Sequence, residues 1–171
     1  PVDLAASGSA IDHGFNWLVY ARMFLRTMKP RALAKWQQHP GLFDRERMVA
    51  ARTLHGASTR SSGPFVVINA ATITPETMEE ELFGVEGGDG RSRRIGALEE
   101  AHGGSRYIDE IGDMPRETQN RILRVLVVQN FQRVGGATRV HVDVRIISSS
   151  SRDLAKLIAD GHFREDLYHR L

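Results

Sequence analysis

Three short runs along the chain, rich in β-branched and aromatic residues, predict strands. They are PFVVIN at residues 64–69, SRYID at residues 105–109 and VRIISS at residues 144–149. Short apolar runs of this kind are typical of strands that are buried on both faces of a parallel sheet. We therefore predict three buried strands at these places.

Segments with helical spacing, bounded by residues that start or stop helices, separate these strands. The run RMVAARTLHGAS at residues 47–58 predicts a helix that stops near Gly56. Thr74 is placed to cap a second helix, with Pro75 at its first position. Pro115 starts a third helix, whose apolar residues return on one face. The remaining predictions are helices in ALEEAHGG, RDLAKLIADG and FREDLYHRL and a hairpin turned at Gly135 and Gly136.

Strands that alternate with helices predict an α/β fold with a parallel sheet between helical layers. Ligands of such sheets bind beyond the carboxyl ends of the strands. The polar residues that follow the three runs would meet at this edge: Asn69, Asp109, Glu110 and residues 148–151. We take this edge as the candidate functional site.

Asp109 and Glu110 are adjacent carboxylates, a pair suited to nucleotide chemistry. An aspartate so placed can hold Mg²⁺ through water, and the neighbouring glutamate can orient a water for attack on a terminal phosphate. A second interpretation stays open, in which Asp109 caps the next turn and Glu110 is solvated. A bare acidic pair does not decide between them.

Composition narrows the class of protein without identifying it. The 171 residues, 41% hydrophobic and 26% charged, suit one domain with its own core. No run of about eighteen apolar residues occurs, which predicts no membrane span. The absence of cysteine favours the cytoplasm. The net charge of +2 is too small to indicate nucleic-acid binding, and the seven histidines form no metal-binding array.

Residues 1–45 differ in composition from residues 46–171, and we assign them to an atypical segment of uncertain structure. They contain both tryptophans, Trp17 and Trp36, and two of the three lysines, but only three acidic residues. An apolar helix in FNWLVYARMFLRTM and a signal peptide are both open here. Because the chain has no initiator methionine and ends in a helix-like pattern, we expect a piece of a longer polypeptide. A frameshifted or chimeric origin is one hypothesis for this segment.

The motifs GGSRYIDEIGDMP, QNRILRVLVVQNFQRVGG, VDVRIISSSSRDL and GHFREDLYHRL resemble those of the AAA+ domain of bacterial sigma-54-dependent transcription activators. The similarity extends from about residue 47 to residue 171 and is greatest to the NtrX-like nitrogen-regulation response regulators. It implies a three-layer AAA+ P-loop-type fold, cut before the helical lid, that uses ATP and Mg²⁺. It also implies a ring of identical subunits, contact with RNA polymerase and its sigma factor, and DNA binding through a module outside this chain.

The resemblance assigns roles to residues of the candidate site. Asp109 and Glu110 match the Walker B pair, in which Asp109 holds Mg²⁺ through water. Asn69 matches an asparagine that restrains the catalytic glutamate. Ser151 takes the position of a sensor asparagine, where its hydroxyl can contact a water or a phosphate.

Two arginines are matched to residues that act across a subunit boundary. Arg164 and Arg170 correspond to arginines that reach the nucleotide of a neighbouring subunit, where a guanidinium stabilises charge on a transferring phosphoryl group. From the residues alone, a surface helix paired with Glu165 and Asp166 is the alternative.

Three features depart from the family pattern. The sequence has no Gly-x-x-x-x-Gly-Lys-Ser/Thr run, and Glu46 and Arg47 occupy the place of Gly-Lys. Losing two or three charged phosphate contacts would weaken ATP binding by about 5 kcal/mol. The loop at residues 84–96 lacks the hexapeptide Gly-Ala-Phe-Thr-Gly-Ala. Arg106 places a charge in a strand expected to be buried, so either its stem carries the guanidinium outward or the strand is damaged at that point.

Three functions therefore stay open from the sequence. The first is an ATPase-type domain that controls transcription. The second is a pseudo-ATPase module that serves subunit contact and regulation. The third is a fragment without independent function.

Overall fold

The computed structural model describes residues 41–88 and 90–171, with side chains from Arg47 onward. The helix predicted in FNWLVYARMFLRTM, and both tryptophans, lie outside the described residues. No helix in the described part is both long and apolar enough to cross a membrane.

Seven strands and six α-helices occur in the described residues. The strands are β1 Phe65–Asn69, β2 Gly84–Val85, β3 Arg94–Ile95, β4 Ser105–Asp109, β5 Asn130–Gln132, β6 Arg139–His141 and β7 Arg145–Ser148. The helices are α1 Gly41–Gly56, α2 Pro75–Phe83, α3 Ala97–Glu100, α4 Arg116–Val128, α5 Leu154–Ala159 and α6 Glu165–Arg170. Each predicted helix of this region is present. The first begins at Gly41, upstream of the predicted start, and ends at Gly56 as expected.

The main sheet is parallel and has the strand order β1-β4-β7 among the described residues. Every residue of β4 is buried because this strand has a neighbour on each side. The prediction that residues 64–69 are buried on both faces is wrong. β1 is an edge strand in the described sheet, and Val67 is 37% exposed.

Helices cover both faces of this sheet. On one face, Ala51 of α1 packs with Tyr107 and Ile147. On the other face, a larger apolar cluster joins Ile108 of β4 to helices α2 to α6, including Leu82 and Ile122. The predicted three-layer α/β architecture is confirmed.

The starts of β1 and β4 approach so closely that one glycine has no room for a side chain. A Cβ on Gly104 would lie 2.0 Å from the carbonyl oxygen of Pro64. Ser105 N donates to this same carbonyl at 2.8 Å. This approach fixes the register in which Asn69 lies opposite Asp109 at the other end of the two strands.

The predicted hairpin forms between β5 and β6, and one arginine ties it to the glycine-rich loop. Arg133 Nη1 donates to Glu86 at 2.9 Å, and its Nη2 donates to Glu99 of α3 at 2.8 Å. The bonds to Glu99 and Glu86 raise the pKa of Arg133, although burial opposes this shift. The side chain is almost fully buried, so this is a cation held by two acids away from solvent.

Arg106 does not carry its charge to the surface as expected. Its side chain points from β4 into the protein and is only 1% exposed. Burial lowers the pKa of Arg106 to about 10, although Glu100 and Glu81 act in the opposite direction. Arg106 packs beside residues of β1, α2, β3 and α3, which together line a pocket with it.

Candidate functional site

The carboxyl ends of β1, β4 and β7 bring the predicted polar residues of the site together. Asn69 lies opposite Asp109 in the parallel pairing of β1 and β4. The Nδ2 of Asn69 donates to Oδ2 of Asp109 at 3.4 Å, a long contact. The backbone of Ser149, just after β7, accepts from Ile111 N at 2.9 Å. The parallel register therefore places the ends of three strands at one edge.

Asp109 uses one carboxylate oxygen for most of its hydrogen bonds. Oδ1 accepts from the hydroxyl of Ser149, from Tyr107 OH at 3.2 Å and from Glu110 N at 3.1 Å. Oδ2 makes only the long contact with Asn69 among the described residues. The carboxylate is thus held firmly on one side while Oδ2 stays available for a further ligand.

Glu110 lies at a break in the backbone that points its carboxylate across the edge. Its φ and ψ are 52° and 49°, in the left-handed region that non-glycine residues seldom adopt. Ser151 donates to Oε2 from its backbone N at 2.7 Å and from its hydroxyl at 2.8 Å. Strained backbone of this kind is concentrated at functional sites.

Arg47 of α1 neutralises the acidic pair. Its Nη2 lies 2.7 Å from Oε1 of Glu110, and its Nε lies 3.8 Å from Oδ1 of Asp109. All three side chains are largely shielded from solvent, so this is an ion pair with little screening. Arg47, which stands in the place of the expected lysine, thus brings a positive charge to Asp109 and Glu110.

Tyr107 lies under the site and stays protonated over a wide pH range. Its hydroxyl lies 2.8 Å from Ser149 Oγ and donates to Asp109. Burial raises the pKa of Tyr107 well above its usual range, and the charge of Asp109 adds to this, while the Ser149 hydrogen bond opposes it. A neutral phenol can donate to the aspartate, which keeps Oδ1 engaged.

The site fits a hydrated Mg²⁺ better than it fits a triphosphate. Carboxylate oxygen is the ligand type that Mg²⁺ prefers, and Oδ2 of Asp109, which makes only a long contact with Asn69 among the described residues, would be the oxygen to accept from a metal-bound water. A phosphate cradle needs a glycine-rich loop followed by lysine, and the described residues provide none. Arg47 is the one cation that contacts both carboxylates in the described part of the chain.

Arg164 and Arg170 lie on a different part of the protein from the acidic pair. Arg164 precedes α6, and its Nε donates to Asp166 at 2.8 Å. Arg170 Nη2 makes a long contact of 3.5 Å with the carbonyl of Leu126 in α4. Within this single chain, neither arginine contacts Asp109 or Glu110. The Asp166 pairing is the one that the residues alone favoured for Arg164.

Two details of the site differ from the sequence interpretation. Asn69 contacts Asp109, whereas Glu110 is held by Ser151 and Arg47. The sequence indicates Arg47 only as the residue in place of the lysine, because its contact with the acids depends on how α1 packs across the sheet. Alternation along β4 places Tyr107 and Asp109 on one face, a signal that could have included Tyr107 in the site.

Other candidate sites are weak in the described residues. The basic run at residues 91–94 is exposed and leads into β3, and Arg91 and Arg94 pair with Glu80 and Glu81. No group of three or more histidine, aspartate or glutamate side chains could hold a metal ion in the described residues.

The fold and the acidic edge define the class of protein. A parallel sheet between helical layers, with Asp109 and Glu110 at the end of its central strand, is the arrangement of an AAA+ P-loop NTPase domain. The profile of the Sigma-54 interaction domain matches residues 46–171, and the chain belongs to this family.

Relatives of known sequence support the same assignment. The chain is 68% identical over 123 residues to the nitrogen assimilation regulatory protein NtrX of Azorhizobium caulinodans, covering 72% of this chain and 27% of NtrX. It is 51% identical over 126 residues to the DNA-binding transcriptional regulator NtrC of Proteus hauseri, with 72% and 27% covered. The chain therefore spans about a quarter of the length of these regulators.

Solved structures agree in fold. NtrX from Brucella abortus in complex with ATP is 63% identical with a TM-score of 0.68, and the match covers 73% of this chain and 28% of that one. Hsp104 in a closed state with ATPγS and FITC casein is 13% identical with a TM-score of 0.55, over 73% and 25% of the two chains. The second match shows the fold alone.

Proposed function

We propose that this chain is the AAA+ ATPase-type domain of an NtrX-like response regulator that controls transcription. The convergence of Asn69, Asp109, Glu110 and Ser151 at the carboxyl edge of the sheet is the observation that carries this proposal. The complex of the Brucella abortus NtrX with ATP supports the choice of nucleotide. The names of the bacterial relatives support a role in nitrogen-dependent transcription.

Each residue of the edge has a chemical role in this proposal. Asp109 would hold a Mg²⁺ ion through water, and Glu110 would orient a water for attack on the terminal phosphate. Ser151 positions Glu110 by two hydrogen bonds, and Asn69 lies beside Oδ2 of Asp109 at a long contact. The metal supplies charge neutralisation to the phosphates when it is bound.

The proposed partners are copies of the same chain and the transcription machinery. Arg164 and Arg170 would enter the site of a neighbouring subunit in a ring, which accounts for their distance from the acids of their own chain. RNA polymerase with its sigma factor is the proposed target. DNA would be contacted through a module outside this chain.

A second function is favoured by Arg47, namely a non-catalytic pseudo-ATPase module. Its ion pair with Glu110 occupies the carboxylate that should orient water. The absence of the glycine-lysine motif removes the phosphate cradle, and the absence of Gly-Ala-Phe-Thr-Gly-Ala removes the loop proposed to touch the sigma factor. Subunit contact would then be the retained role.

Turnover of ATP with Mg²⁺ by the purified chain distinguishes the two functions. For the ATPase we expect Glu110→Gln to lower turnover at least about 100-fold, since it removes the group that activates water. Nucleotide binding should persist in this variant because the amide keeps the size of the side chain.

A matched control is Glu117→Gln, which changes an exposed acid at the start of α4. This variant should keep the turnover of the unchanged chain. Absence of both binding and turnover at millimolar ATP would reject the ATPase and leave the pseudo-ATPase module. Turnover that survives Glu110→Gln would show that another group activates water.

A further inference from the structure

Two buried hydroxyl groups, those of Tyr107 and Ser149, contact the same oxygen of Asp109. The hydroxyl of Ser149 donates to Oδ1 of Asp109, and Tyr107 OH lies 3.2 Å from that oxygen. The two hydroxyls are themselves 2.8 Å apart. Tyr107 and Ser149 are only 1% and 2% exposed. The three side chains therefore form a closed, buried set of contacts, which we call the hydroxyl triangle.

The protons of the hydroxyl triangle can all point toward the carboxylate. An ionised carboxylate only accepts hydrogen bonds, whereas a hydroxyl donates one proton and can also accept. Ser149 gives its proton to Asp109, so its oxygen can accept from Tyr107. The single proton of Tyr107 is thus shared between Ser149 and Asp109. Because linked hydrogen bonds strengthen one another, we expect the two hydroxyls to act as one unit.

The core and the backbone fix both hydroxyls in place. The ring of Tyr107 packs with Ile147 and lies nearly parallel to the ring of Phe65, at a centroid distance of 6.2 Å. Ser149 is held through its backbone, whose N donates to the carbonyl of Ile108 at 3.1 Å. Both donors are therefore in position before any ligand binds.

Few other contacts hold the carboxylate of Asp109. Its Oδ1 accepts from Glu110 N at 3.1 Å, and its Oδ2 makes only the long contact with Asn69 among the described residues. Arg47 Nε lies 3.8 Å from Oδ1. Without the two hydroxyls, the carboxylate would be drawn toward this guanidinium, because opposite charges attract at such a distance. The hydroxyl triangle therefore decides the direction in which Oδ2 faces.

We propose that Tyr107 and Ser149 are positioning residues for Asp109, which hold Oδ1 so that Oδ2 faces a metal-bound water. This inference rests on the proposed function, since it concerns the Mg²⁺ of the same site, and it adds two residues that do not contact the metal. Removing a group that orients a metal ligand typically weakens metal binding by about 10-fold to 100-fold. Because Asp109 would act through water, we expect the lower end of this range.

The first measurement requires neither metal nor nucleotide. Three-bond NMR couplings from Cγ of Asp109 to its own backbone N and carbonyl carbon report the χ1 angle of this side chain. The unchanged chain should give the couplings of a single rotamer. Ser149→Ala and Tyr107→Phe should each give couplings averaged over rotamers. Couplings of one unchanged rotamer in both variants would overturn the proposal.

The second measurement is the binding of Mn²⁺, a paramagnetic substitute for Mg²⁺, followed by the EPR signal of free Mn²⁺ with ADP present. Ser149→Ala should raise the Kd for Mn²⁺ about tenfold. The double variant with Tyr107→Phe should raise the Kd by less than the product of the two single effects, because the hydroxyls act as one unit. An unchanged Kd in Ser149→Ala, or a double effect equal to the product, would overturn the proposal.

Failure of the proposed function gives a different result. The unchanged chain would then bind no Mn²⁺ with ADP, while the couplings of Asp109 in the ligand-free chain would still decide whether the two hydroxyls position it.

Ser58→Ala and Tyr168→Phe are the matched controls. Ser58 is also a buried serine, and its hydroxyl donates to the carbonyl of His55 at 2.7 Å rather than to Asp109. Its replacement removes a buried hydrogen bond without changing the hydroxyl triangle. Tyr168 lies on α6 and is only partly buried. Both controls should keep the couplings of Asp109 and the Kd for Mn²⁺. A tenfold rise of this Kd in Ser58→Ala would show that lost stability, and not lost positioning, weakens metal binding.

Discussion

Asp109 has two carboxylate oxygens with different surroundings, and this difference defines the site at the scale of single residues. Oδ1 is fixed by Ser149, Tyr107 and the backbone, while Oδ2 faces the edge where β1 and β4 end. Tyr107 contributes only while its phenol is protonated, since a tyrosinate would repel the aspartate. The protonation of one buried phenol therefore controls how firmly the acid is held.

The raised pKa of Tyr107 predicts a pH-dependent loss of stability. The folded protein binds the phenolic proton more tightly than the unfolded chain, whose tyrosines titrate near about pH 10. The contribution is fully present below that pH and is lost as the pH rises above it. Tyr107→Phe should therefore lose less stability than the unchanged chain between about pH 9 and 11, measured by urea unfolding.

Arg106 also changes the stability in this pH range, but in the opposite direction. Its pKa is lowered on folding, so its burial penalty falls as the pH rises through about 10. This contribution cancels when Tyr107→Phe is compared with the unchanged chain at each pH. Tyr168→Phe is the control, because Tyr168 lies on α6 and is only partly buried. Equal pH profiles for Tyr107→Phe and the unchanged chain would contradict the assignment.

At the scale of elements, one buried glutamine joins α4 to the segment before α6. Gln119 Nε2 donates to the carbonyls of Met114 at 2.8 Å and His162 at 3.0 Å. Its Oε1 accepts from Arg164 N at 2.9 Å. Gln119 is fully buried, so its amide group depends on these three bonds, and the bond to Met114 is itself buried.

Gln119→Ala is expected to lower the free energy of unfolding by about 2 to 4 kcal/mol, because it removes three hydrogen bonds, leaves the buried carbonyl of Met114 unpaired and opens a cavity at a fully buried position. Urea unfolding measures this change, and hydrogen exchange should show faster opening of α6 than of β4. Asn120→Ala is the matched control on the adjacent, exposed position, where only a surface contact with Arg164 is removed. Similar destabilisation by the two variants would argue against the buried role of Gln119.

At the scale of the whole molecule, Arg164 and Arg170 lie apart from the two acids of the site. α6 packs on α4, whereas Asp109 and Glu110 lie at the carboxyl edge of the sheet. In the proposed function, a complete phosphate site requires two chains, one that contributes the acids and one that contributes the arginines. Under this proposal, ATP turnover would be a property of an assembly.

Mixing two inactive variants tests this arrangement. Glu110→Gln keeps Arg164, and Arg164→Ala keeps Glu110, so an interface between them can hold one intact site. An equal mixture that assembles randomly should recover about a quarter of the unchanged ATP turnover. Glu110→Gln mixed with Asp109→Asn is the control and should recover none, because both changes fall on the same side. No recovery in the first mixture would place the action of Arg164 within its own chain.

The local pattern of the sequence predicts most elements of the fold. Residues 105–109 form a fully buried strand, and Pro75 begins α2 because its fixed φ suits the first helical turn. The edge position of β1 could not be predicted, because exposure depends on which strands pair. The start of α1 at Gly41 could not be predicted either, because residues 1–45 show no clear helical spacing.

The residues of the candidate site also divide into those that the sequence could group and those that required the structure. Asn69, Asp109, Glu110 and Ser151 could be grouped from the sequence, because the ends of parallel strands meet at one edge. Arg47 and Arg106 required the three-dimensional structure. An ion pair between Arg47 and Glu110 joins residues far apart in the chain, and only the packing of α1 brings them together. Whether the guanidinium of Arg106 reaches solvent depends on how β1, α2, β3 and α3 pack around it, which no local pattern encodes.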